Sequence, residues 1–331
     1  MNKLIAAGAA LAIALCATAA AAQDKKKLEV IVFPGGFNWP LWAAQQEGLF
    51  AKEGLEVNLT PTPNSQFQLT ETHNGKFHIA MTAIDNVIAY QEEQGPVKLD
   101  KPEFFAFMGG DNGFLSLVTV PEVKKFSDLK GKTLSVDAMT TGYAFVLRDL
   151  IARNKLKQTD VTYVPAGGVL ERWRALDEKK HAGTMLISPF DVLAKAKGYN
   201  VLARAADVYG HYQGLVGAAK RSWAKQNEKE LVGYIRAYRG AVAWLYDRKN
   251  KDKAIALLRS KLPNMDEKTA EATYGVLLGD KGGFFRNAGI DWAGVNTVLT
   301  LRAKYAEPKK KLGEGSKYVD LTYYNKAAPK K

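Results

Sequence analysis

A chain of 331 residues with 47% hydrophobic side chains exceeds the usual size of one hydrophobic core and favours two lobes. Its 47 lysines and arginines outnumber 34 acids for a formal charge of +13, but the excess is scattered through runs such as Lys25 to Lys27, Lys309 to Lys311 and Lys330 to Lys331. Such runs read as solvated surface, and without a basic stripe interleaved with aromatics a nucleic-acid partner is not expected.

The N-terminus carries Lys3, an apolar run from Leu4 to Leu15, and Ala20-Ala21-Ala22 before Gln23. That is the pattern of a secretory signal over residues 1–22, cleaved near Ala22 and directing the chain to the periplasm. The run is too short to span a bilayer. Cys16, the single cysteine, lies inside it, and Leu15 occupies the place where a small residue normally precedes a lipidated cysteine. The mature chain therefore has no thiol for a nucleophile, a zinc site or a disulfide.

Beyond the signal, Leu28 to Phe33 predicts a strand ended by Pro34-Gly35-Gly36, and Pro40 opens a helix to Gln46 that stops at Gly48. Leu55 to Leu59 is a strand. Ser65 with Gln68 forms a capping box for a helix to Asn74-Gly75, Phe77 to Met81 is a strand, and Thr82 with Asp85 caps a helix to Gln94. Phe104 to Met108 and Gly113 to Val120 are further strands. The alternation restarts with strands at 134–137, 161–164 and 184–187 separated by helices at 141–154, 168–178 and 188–198. This order predicts parallel sheets with crossover helices. After a strand from Gln213 to Ala219 come helices at 228–247, 251–262, 267–278 and 292–307, whose apolar spacing predicts that they pack on one lobe. The expected organisation is a first lobe over 24–113 and 214–331, a second lobe over 114–213 inserted into it, and a hinge at the two crossings. Ala327 to Lys331 is expected to be disordered.

Ligands of open parallel sheets bind beyond the carboxyl ends of the strands. The loops there are Gly35 to Pro40 with Trp42 behind them, Asn64 to Gln66, Thr82 to Asp85, Asp111-Asn112, Asp137 to Tyr143, Ala166 to Gly168 and Ser188 to Asp191. Their glycines let backbone approach a ligand, and their amides and hydroxyls suit oxygen-rich groups. Thr82, Asp85, Ser188 and Asp191 fit helix caps equally well. Phe37, Trp39 and Trp42 crowd a glycine-rich loop, where they either stack on a ligand or join the core. Asp111 and Asp137 either receive N–H or ammonium groups of a ligand or form salt bridges across the hinge. Arg172 and Arg174 read as solvated, and His211 as a residue lining the cleft. Nucleophile-elbow, phosphate-loop and zinc-helix motifs are absent, and His73, His78, His181 and His211 are too dispersed for a metal set. No catalysis, cofactor or metal is expected.

Four phrases carry a family resemblance. Trp39-Pro40-Leu41-Trp42-Ala43-Ala44-Gln45-Gln46-Glu47-Gly48-Leu49-Phe50 with Glu53-Gly54-Leu55-Glu56-Val57 resembles the opening of substrate-binding proteins of nitrate, sulfonate and taurine ABC transporters, including the thiamine-pyrimidine-precursor (NMT1/THI5-like) binders. Asn74 to Met81 is similar to that family's G-x-h-D-h-A strand, with His78 in place of the aspartate. Phe126 to Leu134 and Tyr318 to Tyr324 resemble its second-lobe opening and its tail. The resemblance implies a type II periplasmic-binding-protein fold, two α/β lobes joined by a two-strand hinge. It implies a monomer that closes on a small-molecule solute and docks on an inner-membrane permease with a cytoplasmic ATPase. Carried over, the ligand contacts are Phe37, Asn38, Trp39, Ser65, Thr82, Asp85, Asp111, Thr140, Thr141, Gly142, Gly168 and Asp191. Oxoanion binders of the family often have a Gly/Ser-rich loop where this chain has Asp137-Ala138-Met139-Thr140-Thr141, a departure that favours an organic ligand with N–H donors. Sulfonate, taurine-like and pyrimidine-like solutes are the candidates. An enzyme of thiamine-pyrimidine synthesis on the same fold and a ligand-sensing subunit of a membrane receptor are the alternatives.

Overall fold

The computed structural model describes residues 25–262, 265–279 and 282–328. The predicted signal, its cleavage site at Ala22 and the terminal lysines lie outside them. Strand β1 (Lys26–Val32) leads into α1 (Trp39–Gln46), α2 (Leu49–Lys52) and β2 (Leu55–Pro61), then α3 (Ser65–His73), β3 (Ile79–Ala83), α4 (Ile84–Gln91) and β4 (Phe104–Gly109). After a crossing, β5 (Ser116–Thr119), β6 (Lys132–Val136), α5 (Gly142–Arg153), β7 (Val161–Pro165), α6 (Val169–Asp177), β8 (Gly183–Leu186), α7 (Phe190–Ala196), β9 (Asn200–Arg204) and α8 (Ala205–Tyr209) build a second layer system. The chain returns through β10 (Leu215–Lys220) and ends in α9 (Arg221–Gln226), α10 (Glu228–Tyr246), α11 (Lys251–Lys261), α12 (Glu267–Leu277), α13 (Trp292–Tyr305) and α14 (Thr322–Lys326).

Two five-stranded sheets result, ordered β2-β1-β3-β10-β4 and β7-β6-β8-β5-β9. Residues 26–109 and 215–220 supply the first and 116–204 the second. Both are mixed, whereas the alternation predicted parallel sheets. β10 runs antiparallel to β3 and β4, and β5 antiparallel to β8 and β9, because each enters its sheet directly from a crossing and not through a crossover helix. β5 and β8, inside the second sheet, are buried along their whole length, and so is β4 (Phe104–Gly109), although it lies at the edge of the first, as expected of sheets covered on both faces.

The two crossings pair with each other. Gly110 N donates to Leu215 O at 2.8 Å and Gly214 N to Asp111 O at 3.0 Å. The Asp111 carboxylate ties the pairing by accepting from Gly113 N (2.8 Å) and Leu215 N (3.1 Å). Burial pushes its pKa up to about 6, against the pull of those two amides.

Two expected caps are corrected. The α3 cap is Asn64, whose side chain accepts from Phe67 N, while the Gln68 amide reaches back to Ile31 O and Met81 O. At α4 the N-cap position falls on Ala83, Thr82 accepts from the Asn86 amide at 2.9 Å, and Asp85 turns to Arg302. The C-terminal helices also do not confine themselves to one lobe. α12 packs on α7, and α13 packs on both α4 and α5. Ala327, expected in a disordered tail, is buried. Among the described residues no helix is long and apolar enough to cross a membrane.

Candidate ligand-binding cavity

The lobes are closed on each other. Gly142 N donates to Asp85 Oδ2 at 2.5 Å, Ser65 N to Asp137 Oδ2 at 3.3 Å and Gly168 N to Pro63 O at 2.8 Å, each bond joining one lobe to the other. Gly142 and Gly168 are dictated by this approach: a Cβ on Gly142 would stand 2.5 Å from the Asp85 carboxyl carbon, and one on Gly168 2.9 Å from Pro63 O. Arg302 of α13 completes the junction. Its guanidinium is bidentate on Asp85 (2.8 and 2.7 Å), donates to Thr140 O at 2.8 Å across the lobes, and lies 5.0 Å over the Phe145 ring. Arg302 and Asp85 are 0% and 1% exposed, so each charge depends wholly on the other.

Between the lobes lies a cavity of about 50 Å³ lined by Phe33, Phe37, Ala83, Asn86, Asp111, Gly113, Phe114, Asp137, Thr141, Gly142, Tyr143, Val169, Arg172, Ile187 and Leu215. It sits beyond the carboxyl ends of β1, β3, β6, β7 and β8 and against the crossings. Of the sequence-predicted residues, Phe37, Asp111, Asp137, Thr141 and Gly142 meet there. Among the described residues, Asp137 Oδ1 and Arg172 Nε are buried without a hydrogen-bond partner, as are Asn38 Oδ1, Ser65 Oγ and Thr140 Oγ1 in the adjoining segments.

The other predicted residues do not line the cavity. Trp39 is fully buried, donates its indole N–H to Ala254 O at 3.1 Å and meets Tyr274 edge-on at 5.8 Å, so it is a core residue that orients α1 against α11 and α12. Trp42 is half-buried against the same core. Asn38 donates to Phe33 O at 2.6 Å and holds the loop in shape. Ser65, Thr140 and Gly168 stand at the lobe junction, Thr82 and Asp85 are engaged as described above, and Ser188 donates to Asp191 Oδ1 at 2.7 Å. Asp191 also accepts from Ser116 Oγ (3.0 Å) and Val192 N (2.9 Å), and burial raises its pKa against these donors. His211 is exposed, pairs with Asp291 at 3.0 Å and borders a separate open groove with Asn112 and Asp207, not the cavity.

Sequence reasoning missed the apolar walls Phe33, Phe114, Val169, Ile187 and Leu215, reached Tyr143 only as the end of a candidate loop, and assigned Arg172 to solvent. Arg172 is 3% exposed; its Nη1 donates to Gly167 O (2.7 Å) and its Nη2 to Met185 O (3.2 Å). Burial lowers its pKa, and the nearby Asp137 opposes that shift. The signal was positional: Arg172 lies one turn into α6, which Gly168 precedes, shortly beyond the end of β7. Among the described residues no group of three or more His, Cys, Asp or Glu stands placed to hold a metal ion.

Two lobes of this topology, joined by paired crossings and shut on a cavity between them, define the type II periplasmic-binding fold. The chain belongs to the NMT1/THI5-like family, whose description matches residues 38–251. No curated protein sequence matches it. Among solved structures it is similar to a ligand-binding component of an ABC-type import system from Staphylococcus aureus with zinc bound, at 13% identity and a TM-score of 0.75 over 92% of this chain and 100% of that one. It is similar to the periplasmic nitrate-binding protein NrtA of Synechocystis PCC 6803 (11% identity, TM-score 0.73, 92% and 88% covered). The alkanesulfonate-binding protein SsuA of Xanthomonas axonopodis pv. citri, bound to MOPS, matches at 13% identity and a TM-score of 0.69 over 90% and 99% of the two chains.

Proposed function

We propose that the chain is the periplasmic solute-binding component of an ABC importer. It captures one small polar organic solute, of the sulfonate, taurine-like or N-heterocyclic, pyrimidine-like classes, by closing its lobes, and it delivers that solute to an inner-membrane permease with a cytoplasmic ATPase. The observation that carries the reading is the cavity between lobes that touch through amide-to-carboxylate bonds. A site formed only when two bodies meet couples occupancy to closure, since a ligand touching both walls favours the closed state by its differential affinity. The mature chain acts as a monomer, without cofactor or catalysis, and residues 24–113 with 214–331 move against 114–213 about the paired crossings. The match to importer components supports the partner, and the signal-like N-terminus supports export.

The test is small-angle scattering of the mature chain stripped of solute by unfolding and refolding, before and after addition of the small molecules extracted from freshly purified protein. The expected result is compaction with one solute per chain, recovered unchanged by mass spectrometry. Chemical conversion of the solute, or a radius that does not respond, contradicts the reading.

A further inference from the structure

Helix α13 is held to the first lobe at both of its ends. Ahead of it, Phe285 N donates to Gly110 O at 2.9 Å and Gly109 N to Ala288 O at 3.0 Å. Behind it, the Gln94 amide donates to Pro308 O at 2.7 Å, the Tyr318 hydroxyl to Glu92 Oε1 at 2.7 Å, and Ala106 N to Tyr318 O at 2.8 Å. Its last turn nevertheless faces α5 of the second lobe. Lys304 Nζ and the Tyr305 hydroxyl both donate to Asp149 Oδ1, at 2.8 and 2.9 Å. Arg148 Nη1 returns a bond to Tyr305 O at 3.0 Å, with its guanidinium 4.9 Å over the Tyr305 ring. Asp149, Lys304 and Tyr305 do not line the cavity.

The charges are divided so that these contacts can be broken. Asp149 is 2% exposed, and a buried carboxylate left without a counter-ion is costly. Its second oxygen is served from its own lobe, by Arg153 Nε at 2.6 Å and the Tyr209 hydroxyl at 2.9 Å. Asp85 likewise keeps Arg302 within the first lobe. When the lobes part, Asp149 gives up Lys304 and Tyr305 and stays ion-paired, so separation costs hydrogen bonds and strands neither carboxylate.

Resting on the proposed capture of solute by lobe closure, we propose that α13 is a latch: Lys304 and Tyr305 grip α5 through Asp149 and set, from outside the cavity, how much of the empty chain is closed. The apparent affinity of a site that exists only in the closed state falls in proportion to that fraction. The latch therefore changes the affinity for every solute by the same factor, without a contact to any of them.

The variant Lys304→Met with Tyr305→Phe removes both donors of the first lobe and leaves Asp149 with Arg153 and Tyr209. Lys52→Cys in α2 and Arg174→Cys in α6, both at exposed positions, take spin labels in the mature chain, whose sequence beyond Ala22 has no other thiol. Double electron–electron resonance then reads the distance between the lobes. In solute-free chain the variant should shift the closed-to-open ratio about tenfold toward open, the net worth of two such hydrogen bonds. The small molecules extracted from freshly purified protein should have to be about ten times more concentrated to close half of the chains. Lys304→Arg, which keeps a cation for Asp149, should retain the wild-type value of both. Tyr305→Phe alone should move both readouts the same way by a smaller factor, and it decides the matter if the double variant does not fold. Distance distributions equal to wild type in the solute-free variants overturn the latch. If the extract closes wild type and variant at the same concentration, solute capture stands and the latch falls; if it closes neither, solute capture falls as well.

Discussion

Replacing Arg302 with methionine removes one half of a buried ion pair while keeping much of its volume. Asp85 would lose two charge-assisted bonds, at 2.8 and 2.7 Å, and keep only the Gly142 amide in a site 1% exposed. Thr140 O loses its donor as well. Breaking such a pair costs about 3–5 kcal/mol, a large part of the roughly 5–15 kcal/mol available to a folded protein. At about 2 °C per kcal/mol for a chain of this size, Tm falls by roughly 6–10 °C. Asp85→Leu should cost a similar amount, since it strands the guanidinium. The double variant should be less destabilised than the sum of the two by at least about 2 kcal/mol, because neither charge is then left unpaired. Urea unfolding followed by tryptophan fluorescence and circular dichroism measures all three, with coincident transitions as the condition for reading free energies. A loss below about 1 kcal/mol for Arg302→Met, or strictly additive single changes, would refute the view that this pair holds the junction.

Trp39→Ala removes a fully buried indole and its bond to Ala254 O, and it should cost about 3–5 kcal/mol of stability in urea unfolding. An unfolding midpoint equal to wild type, with solute affinity lost, would return Trp39 to the ligand. Asp111 has its pKa raised from 3.8 to about 6 by burial, so the native state holds a proton that the unfolded state has released between those values. Its contribution is therefore favourable below that window and declines as pH rises through it, by up to about 3 kcal/mol. Asp111→Asn should gain stability relative to wild type by up to that amount between pH 4 and pH 7.5; a difference that does not change with pH contradicts the buried, unpaired carboxylate. Asp149 behaves oppositely. Hydrogen bonds from Lys304, Arg153, Tyr209 and Tyr305 outweigh its burial and hold it at about 2. Its contribution is present above pH 4 and lost as pH falls through 2, so Asp149→Asn should flatten the acid limb of the stability curve. An acid limb as steep as the wild type's would assign that loss to other carboxylates. His211→Ala should leave solute affinity unchanged in calorimetry, since the ring is exposed and outside the cavity.

The strands and helices that alternate along the chain were legible because each is short, buried on a regular period and ended by Gly, Pro or Asn. β9 and α8, which went unpredicted, show why that signal has limits: Asn200–Arg204 is an edge strand with half-buried residues and no clean period. Strand direction was invisible for β5 and β10, because direction follows from where a crossing enters the sheet. At the site, loop position correctly gathered Phe37, Asp111, Asp137, Thr141 and Gly142. It could not separate Asp85 from them, since what claims Asp85 is an arginine 217 residues away. Trp39 was drawn toward the ligand by its glycine-rich neighbours, while the helices that bury it, α11 and α12, lie more than two hundred residues downstream.

The order β2-β1-β3-β10-β4 places a late strand in the interior of the first sheet. During synthesis or translocation, β4 has no strand to pair with until residues 215–220 arrive, whereas all five strands of the other sheet are present once residue 204 has emerged. Loop-closure entropy makes such distant pairing the slow part of assembly. The first sheet is thus the last to form, and its strand edges stay open to wrong pairing until the chain comes back.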